Sequence, residues 1–210
     1  MSILWVFACF AALLASAGAA FALAFRGSRD EILLALARKP LGFAPRIVVV
    51  GDSLAACCPF QRLSRRPLGV LRLARGGATL TEIAGQLARV QEIGARYVII
   101  DGGLNDILFH EAPIDRVERD FDALLSRLGE GRKAIFTLMP YVSDPARGER
   151  IATANGRMAA LCAARGVAVL DLNPELSKDG ARRPEMTDDG LHFSPRANDI
   201  WIAAVRRMIG

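Results

Sequence analysis

Ile47-Val48-Val49-Val50-Gly51-Asp52-Ser53-Leu54 decides the fold. Four consecutive β-branched residues make a strand that is apolar on both faces, and Gly-Asp-Ser ends it abruptly at the foot of a helix. A strand buried on both sides belongs to a parallel sheet held between two layers of helices. The chain then repeats the pattern. Residues 70–74, 97–101, 134–138 and 167–171 are further short apolar runs, while 79–93, 114–128 and 149–165 carry apolar residues three and four apart. Pro195–Ile209 closes the chain as another helix. Alternation of this kind predicts an α/β fold, a doubly wound five-stranded parallel sheet over residues 46–210.

Upstream of that domain the sequence changes character. All 27 Lys and Arg and all 22 Asp and Glu lie after Phe25. Residues 3–25 would span about 34 Å as a helix, against about 30 Å of bilayer hydrocarbon. Residues 1–25 therefore read as an N-terminal hydrophobic helix, either a transmembrane anchor or a cleaved secretory signal. Ala15-Ser16-Ala17 and Ala22-Leu23-Ala24 resemble cleavage sites, whereas the missing basic start and the length of the run favour the anchor. Arg26, Arg29, Arg38 and Lys39 follow the run and none precedes it, which by the positive-inside rule places the domain in the cytoplasm. Residues 26–45 read as a short helix, 30–38, and a linker punctuated by Pro40, Gly42 and Pro45.

Composition narrows the classes of function. At 52% hydrophobic and 23% charged the chain must bury a core. Its net charge is +5, but the arginines are scattered, only three basic residues are lysines, and no nucleic-acid-binding pattern surrounds them. Cys9, Cys57, Cys58 and Cys162 form no disulfide framework, and two distant histidines make no zinc site. A phosphate-binding loop and a dinucleotide fingerprint are also absent, so neither metal nor cofactor is expected.

In a doubly wound sheet, ligands bind beyond the carboxyl ends of the strands. Four unusual segments fall at that edge: Gly51-Asp52-Ser53-Leu54, Arg75-Gly76-Gly77-Ala78-Thr79, Asp101-Gly102-Gly103-Leu104-Asn105-Asp106, and Asp189-Gly190-Leu191-His192 before the last helix. A serine becomes a nucleophile when a base within reach takes its proton and a third group fixes that base. Ser53, His192 and Asp189 are of the right types, and the three-residue spacing favours Asp189 over Asp188 as the partner of the imidazole. An oxyanion needs donors, which the Ser53 N–H, the Gly77 N–H and the Asn105 amide could supply, with Gly76 competing for Gly77's place. Cys57 and Cys58 lie past the strand end and read as small core residues.

These residues together resemble the SGNH or GDSL hydrolases. Gly51-Asp52-Ser53-Leu54 is similar to the first block of that family, Gly77 to the glycine of the second, Gly103-Leu104-Asn105-Asp106 to the third and Asp189-Gly190-Leu191-His192 to the last. The resemblance implies a flavodoxin-like sheet and metal-free ester hydrolysis through an acyl-enzyme. It implies Ser53 as nucleophile, His192 as base, Asp189 as its orienter, and Ser53, Gly77 and Asn105 as the oxyanion hole. Asp52 and Leu54 beside the serine, and His110 beyond the third block, are candidates for substrate contact. The second block departs from the family in having Ala74-Arg75-Gly76 where an asparagine often precedes the glycine, and the third in having Leu104 where threonine is commoner. Expected substrates are small-molecule, lipid or saccharide esters, with the membrane as a partner through residues 1–25. Many members of the family are exported, which opposes the charge rule and leaves the side of the domain open. The rival is a non-catalytic membrane-bound assembly subunit that reuses the fold.

Overall fold

The computed structural model describes residues 45–210 apart from Pro67, Glu92 and Glu130. The expected hydrophobic helix at 1–25, and the short helix and most of the linker at 26–45, lie outside the described residues. Among the described residues no helix is long and apolar enough to cross a membrane.

Five strands form one parallel sheet: β1 Ile47–Val50, β2 Val70–Arg72, β3 Tyr97–Ile100, β4 Lys133–Thr137 and β5 Ala168–Leu170, in the order β2-β1-β3-β4-β5. This is the flavodoxin-like order, in which the chain reverses direction across the sheet between β1 and β3 and opens a crevice there. All residues of β1 and β3 are buried, as the unbroken apolar runs require. β2 ends two residues earlier than expected, yet Leu73 N–H still donates to Val49 O at 2.8 Å and Arg75 N–H to Gly51 O at 3.0 Å. The chain thus follows β1 down to the crevice.

The helices are α1 Ser53–Cys57, α2 Leu80–Val90, α3 Leu104–Leu108, α4 Ile114–Leu125, α5 Gly148–Ala164, α6 Asn173–Leu176 and α7 Pro195–Ile209. Thr79 and Glu82 form a reciprocal capping box at α2, and Ser194 caps α7 with Pro195 in its first turn. Successive residues of a strand face opposite ways. On β4, Phe136 packs on Phe121 of α4, while Thr137 Oγ1 accepts from Trp201 Nε1 of α7 at 3.0 Å. α4 and α7 therefore cover opposite faces of the sheet. Trp201, fully buried, meets Phe60 and Phe193 edge to face at 4.8 and 5.3 Å. Phe193 directly follows His192, so this aromatic cluster anchors the loop that carries the histidine. A two-stranded hairpin, β6 Ser177–Lys178 and β7 Ala181–Arg182, precedes that loop.

Candidate active site

Each of the four segments sits on a turn with its own reason for being there. After β1 the chain enters α1 at once. Asp52 is the N-cap and its Oδ1 accepts the Leu54 N–H at 2.9 Å, which leaves Ser53 as the first residue of the helix with its side chain half-buried at the sheet edge. The buried Gln86 of α2 clamps the strand end, accepting the Gly51 N–H at 2.8 Å and donating to Gly51 O at 3.0 Å.

The histidine loop is tied from several sides. Thr187 and Phe193 form a β-bridge, Ser194 N–H donates to Met186 O at 3.1 Å, and Arg182 Nη1 donates to Leu191 O at 2.6 Å. Within it Asp189 folds back on itself. Its Oδ1 accepts the Leu191 and His192 N–H groups at 2.9 and 2.7 Å, and its Oδ2 lies 2.6 Å from His192 Nδ1. The bond to the imidazole, helped by those two amides, holds the Asp189 carboxyl well below the usual carboxylate range. An ionised carboxylate only accepts, so Nδ1 carries the hydrogen and Nε2 is left with its lone pair. That Nε2 is 3.0 Å from Ser53 Oγ. The structure thus brings Ser53, His192 and Asp189 into one chain of hydrogen bonds, while the neighbouring Asp188 is exposed.

The other expected residues sort by position. Asn105, on α3, is buried and its Nδ2 donates to Ala78 O at 3.0 Å, which fastens the amide to the Ala78–Thr79 peptide. Asp106 Oδ2 accepts the Leu80 N–H at the start of α2 at 3.0 Å, a second tie between the same two loops. Gly77 has φ 74°, a conformation that favours glycine, whereas Gly76 is not left-handed. The side chains of Asp52 and Leu54 are buried, the first as a cap and the second in the core. His110 is exposed beyond α3, with its N–H donating to Asn105 O at 3.1 Å. Cys58 is buried, and burial pushes its thiol far up, while Cys57 is exposed. Among the described residues no group of three metal-ligating side chains comes together.

Among the buried polar groups to which sequence reasoning gave no role are Gln86 and Asp101. Gln86 interrupts the apolar stripe Ile83, Leu87, Val90 of α2, and Asp101 ends the apolar run of β3. Both interruptions are visible in the sequence.

Comparison with known proteins bears on this arrangement. A curated relative, the N-acylneuraminate cytidylyltransferase of Streptococcus agalactiae serotype III, is 28% identical over 130 residues, which is 60% of this chain and 31% of the relative. The match thus spans about a third of the length of the curated relatives. A GDSL-like lipase from Bacteroides thetaiotaomicron superposes with a TM-score of 0.69 at 19% identity, over 86% of this chain and 95% of its own. The lipase/acylhydrolase from Enterococcus faecalis does so with a TM-score of 0.64 at 22% identity, over 78% of this chain and 94% of its own. At these identities the likeness is one of fold. The model of the GDSL-like lipase/acylhydrolase family matches residues 49–200, from the second half of β1 into α7 and across all four segments of the site, and the chain belongs to that family.

Proposed function

We propose that the protein is a serine esterase that cleaves acyl esters through an acyl-enzyme, with Ser53 as nucleophile. The observation that carries this reading is the continuous path from Asp189 Oδ2 through His192 Nδ1 and Nε2 to Ser53 Oγ, at 2.6 and 3.0 Å. As Oγ attacks the ester carbonyl carbon, its proton passes to His192 Nε2, and Asp189 balances the charge on the imidazolium. The carbonyl oxygen becomes an oxyanion facing the Ser53 and Gly77 N–H groups and the Asn105 amide. Collapse of the tetrahedral adduct expels the alcohol, which takes the proton from Nε2. Water then enters by the same route in reverse, releasing the acid and restoring Ser53.

Acyl esters of small molecules, lipids or saccharides are the substrate class. The N-terminal apolar run supports action at a membrane surface, on lipid or envelope-glycan esters. The cytidylyltransferase activity named for the streptococcal relative is not carried over, because the match covers 31% of that protein. The decisive experiment labels the full chain with a fluorophosphonate and follows hydrolysis of a short-chain aryl ester. Wild type is expected to label and turn over, and Ser53→Ala to do neither. Unchanged turnover in Ser53→Ala would refute the reading, and absence of labelling in wild type would point to a non-catalytic subunit.

A further inference from the structure

Behind Ser53 lie two carboxyl groups that the acyl-transfer scheme does not use. Asp52 follows β1 and Asp101 follows β3, and each is 2% exposed. Their carboxyl groups are close enough to act on each other. Two carboxylates have only acceptors to offer, so contact at that range requires one hydrogen between them. Asp52 has the better claim to the charge, since it caps α1 through the Leu54 N–H and faces His192. Asp101 is wholly enclosed, and its Oδ2 is buried with no donor in reach, as befits an oxygen that itself bears the hydrogen. Burial, and next the charge of Asp52, push the Asp101 carboxyl well above the usual carboxylate range. The other charged or titratable groups that act on the pair are His192 on Asp52, with Arg182 of β7 and Cys58 after α1 sensing Asp101.

We infer that Asp101 is a positioning residue whose carboxyl O–H donates to Asp52, tying the turn that carries Ser53 to the turn that carries Asn105. The inference rests on the roles proposed above for those two residues. The bond works in two ways. First, it steadies the cap beside the nucleophile, where the Leu54 N–H donates to Asp52 Oδ1 and the Ala56 N–H to Asp52 O. The Ser53 N–H, which an oxyanion needs, has no acceptor among the described residues. Secondly, a neutral Asp101 keeps another buried negative charge away from the place where the oxyanion develops, where it would oppose the reaction strongly in a low dielectric. The turns meet closely: a Cβ on Gly51 would stand 2.9 Å from Ala55 Cβ and 3.0 Å from Asp101 O.

The test compares wild type, Asp101→Asn and Asp101→Ala as full chains in detergent, reading kcat and KM for an aryl acetate and thermal unfolding, each against pH. An asparagine amide donates to Asp52 as the O–H does, so Asp101→Asn should stay within about threefold of wild type at neutral pH. Asp101→Ala should lose about 30-fold or more, in kcat rather than KM. Because its pKa is raised in the native state, Asp101 binds a proton there that the unfolded chain has lost. Wild type should therefore lose stability as pH rises from about 4 towards the native pKa, and Asp101→Asn, which keeps only the part due to the buried Asp52, should lose less. An Asp101→Asn no more active than Asp101→Ala, or unfolding profiles of wild type and Asp101→Asn that run parallel, would overturn the inference. Wild type without esterase activity would instead overturn the nucleophile assignment, and the unfolding profiles would still decide whether the carboxyls share a proton.

Discussion

The Asn105 amide carries two hydrogens, one of which is committed to Ala78 O. That bond costs the side chain its rotational freedom and aims the second hydrogen, which is how a preorganised donor differs from a mobile one. Asn105→Ala is expected to lower kcat on the order of 10²–10³-fold with KM little changed, because the donor acts on charge present only in the transition state. Steady-state kinetics on the aryl ester check this, and an effect confined to KM would assign Asn105 to substrate binding instead. Asp189 contacts the His192 imidazole, through which the proposed mechanism has it act. Asp189→Asn removes the acceptor that fixes the Nδ1–H tautomer, so a loss on the order of 10⁴ in kcat is expected with the fold intact. At this scale the sequence is most legible where a residue type is rare. With two histidines in the chain, a base for Ser53 had few candidates, and Asp189 followed from its spacing. Asp52, a candidate for substrate contact by its place beside Ser53, has a buried side chain that caps α1. Asp101, the carboxyl that acts on it, is 49 positions away, and no local pattern encodes that meeting.

At the scale of elements, α7 joins the sheet to the site. Trp201 fills the space between Phe60 and Phe193 and donates to Thr137 Oγ1. Trp201→Ala should cost about 3–5 kcal/mol of stability, measured by urea denaturation, since it opens a cavity and orphans a buried hydroxyl. It should also lower kcat in the variant that remains folded, because Phe193 is then free to carry His192 away from Ser53. Retained stability would show that the aromatic cluster relaxes into the gap. The four long helices were readable because each repeats one period over enough residues to exceed chance, and the five strands because each is an unbroken apolar run. α3, α6 and the β6–β7 hairpin were not, being four or five residues and two paired residues long, too short for a period to register. Yet the hairpin supplies Arg182, whose Nη1 holds Leu191 O and whose guanidinium lies 4.6 Å from the Phe193 ring centroid. The support of the histidine loop is thus drawn from the part of the chain that local pattern describes least.

For the molecule as a whole, the site and the core are contained in one stretch of chain. The site segments run from Gly51 to His192, and the buried hydrophobic residues from Ile47 to Ile209. A chain beginning at Pro45 is expected to fold and to hydrolyse the aryl ester with the kcat of the full protein. Residues 1–25 contribute something separate. A run of 23 residues without charge from Ile3 to Phe25 would gain free energy for each apolar side chain transferred to lipid, and as a helix it would pair its own backbone groups across the bilayer. The full chain is expected to sediment with membranes and to resist extraction at alkaline pH, while the chain beginning at Pro45 stays in the supernatant with its activity. Recovery of full-length product in the supernatant would refute insertion, and a supernatant form whose N-terminus falls between Gly18 and Phe25 would identify the segment as a cleaved signal. Protease added to intact spheroplasts then fixes the side. With Arg26, Arg29, Arg38 and Lys39 all after the run, the expected outcome is protection of the catalytic domain, because the basic flank stays in the cytoplasm. Digestion from outside would mean that the domain is exported against its flanking charge.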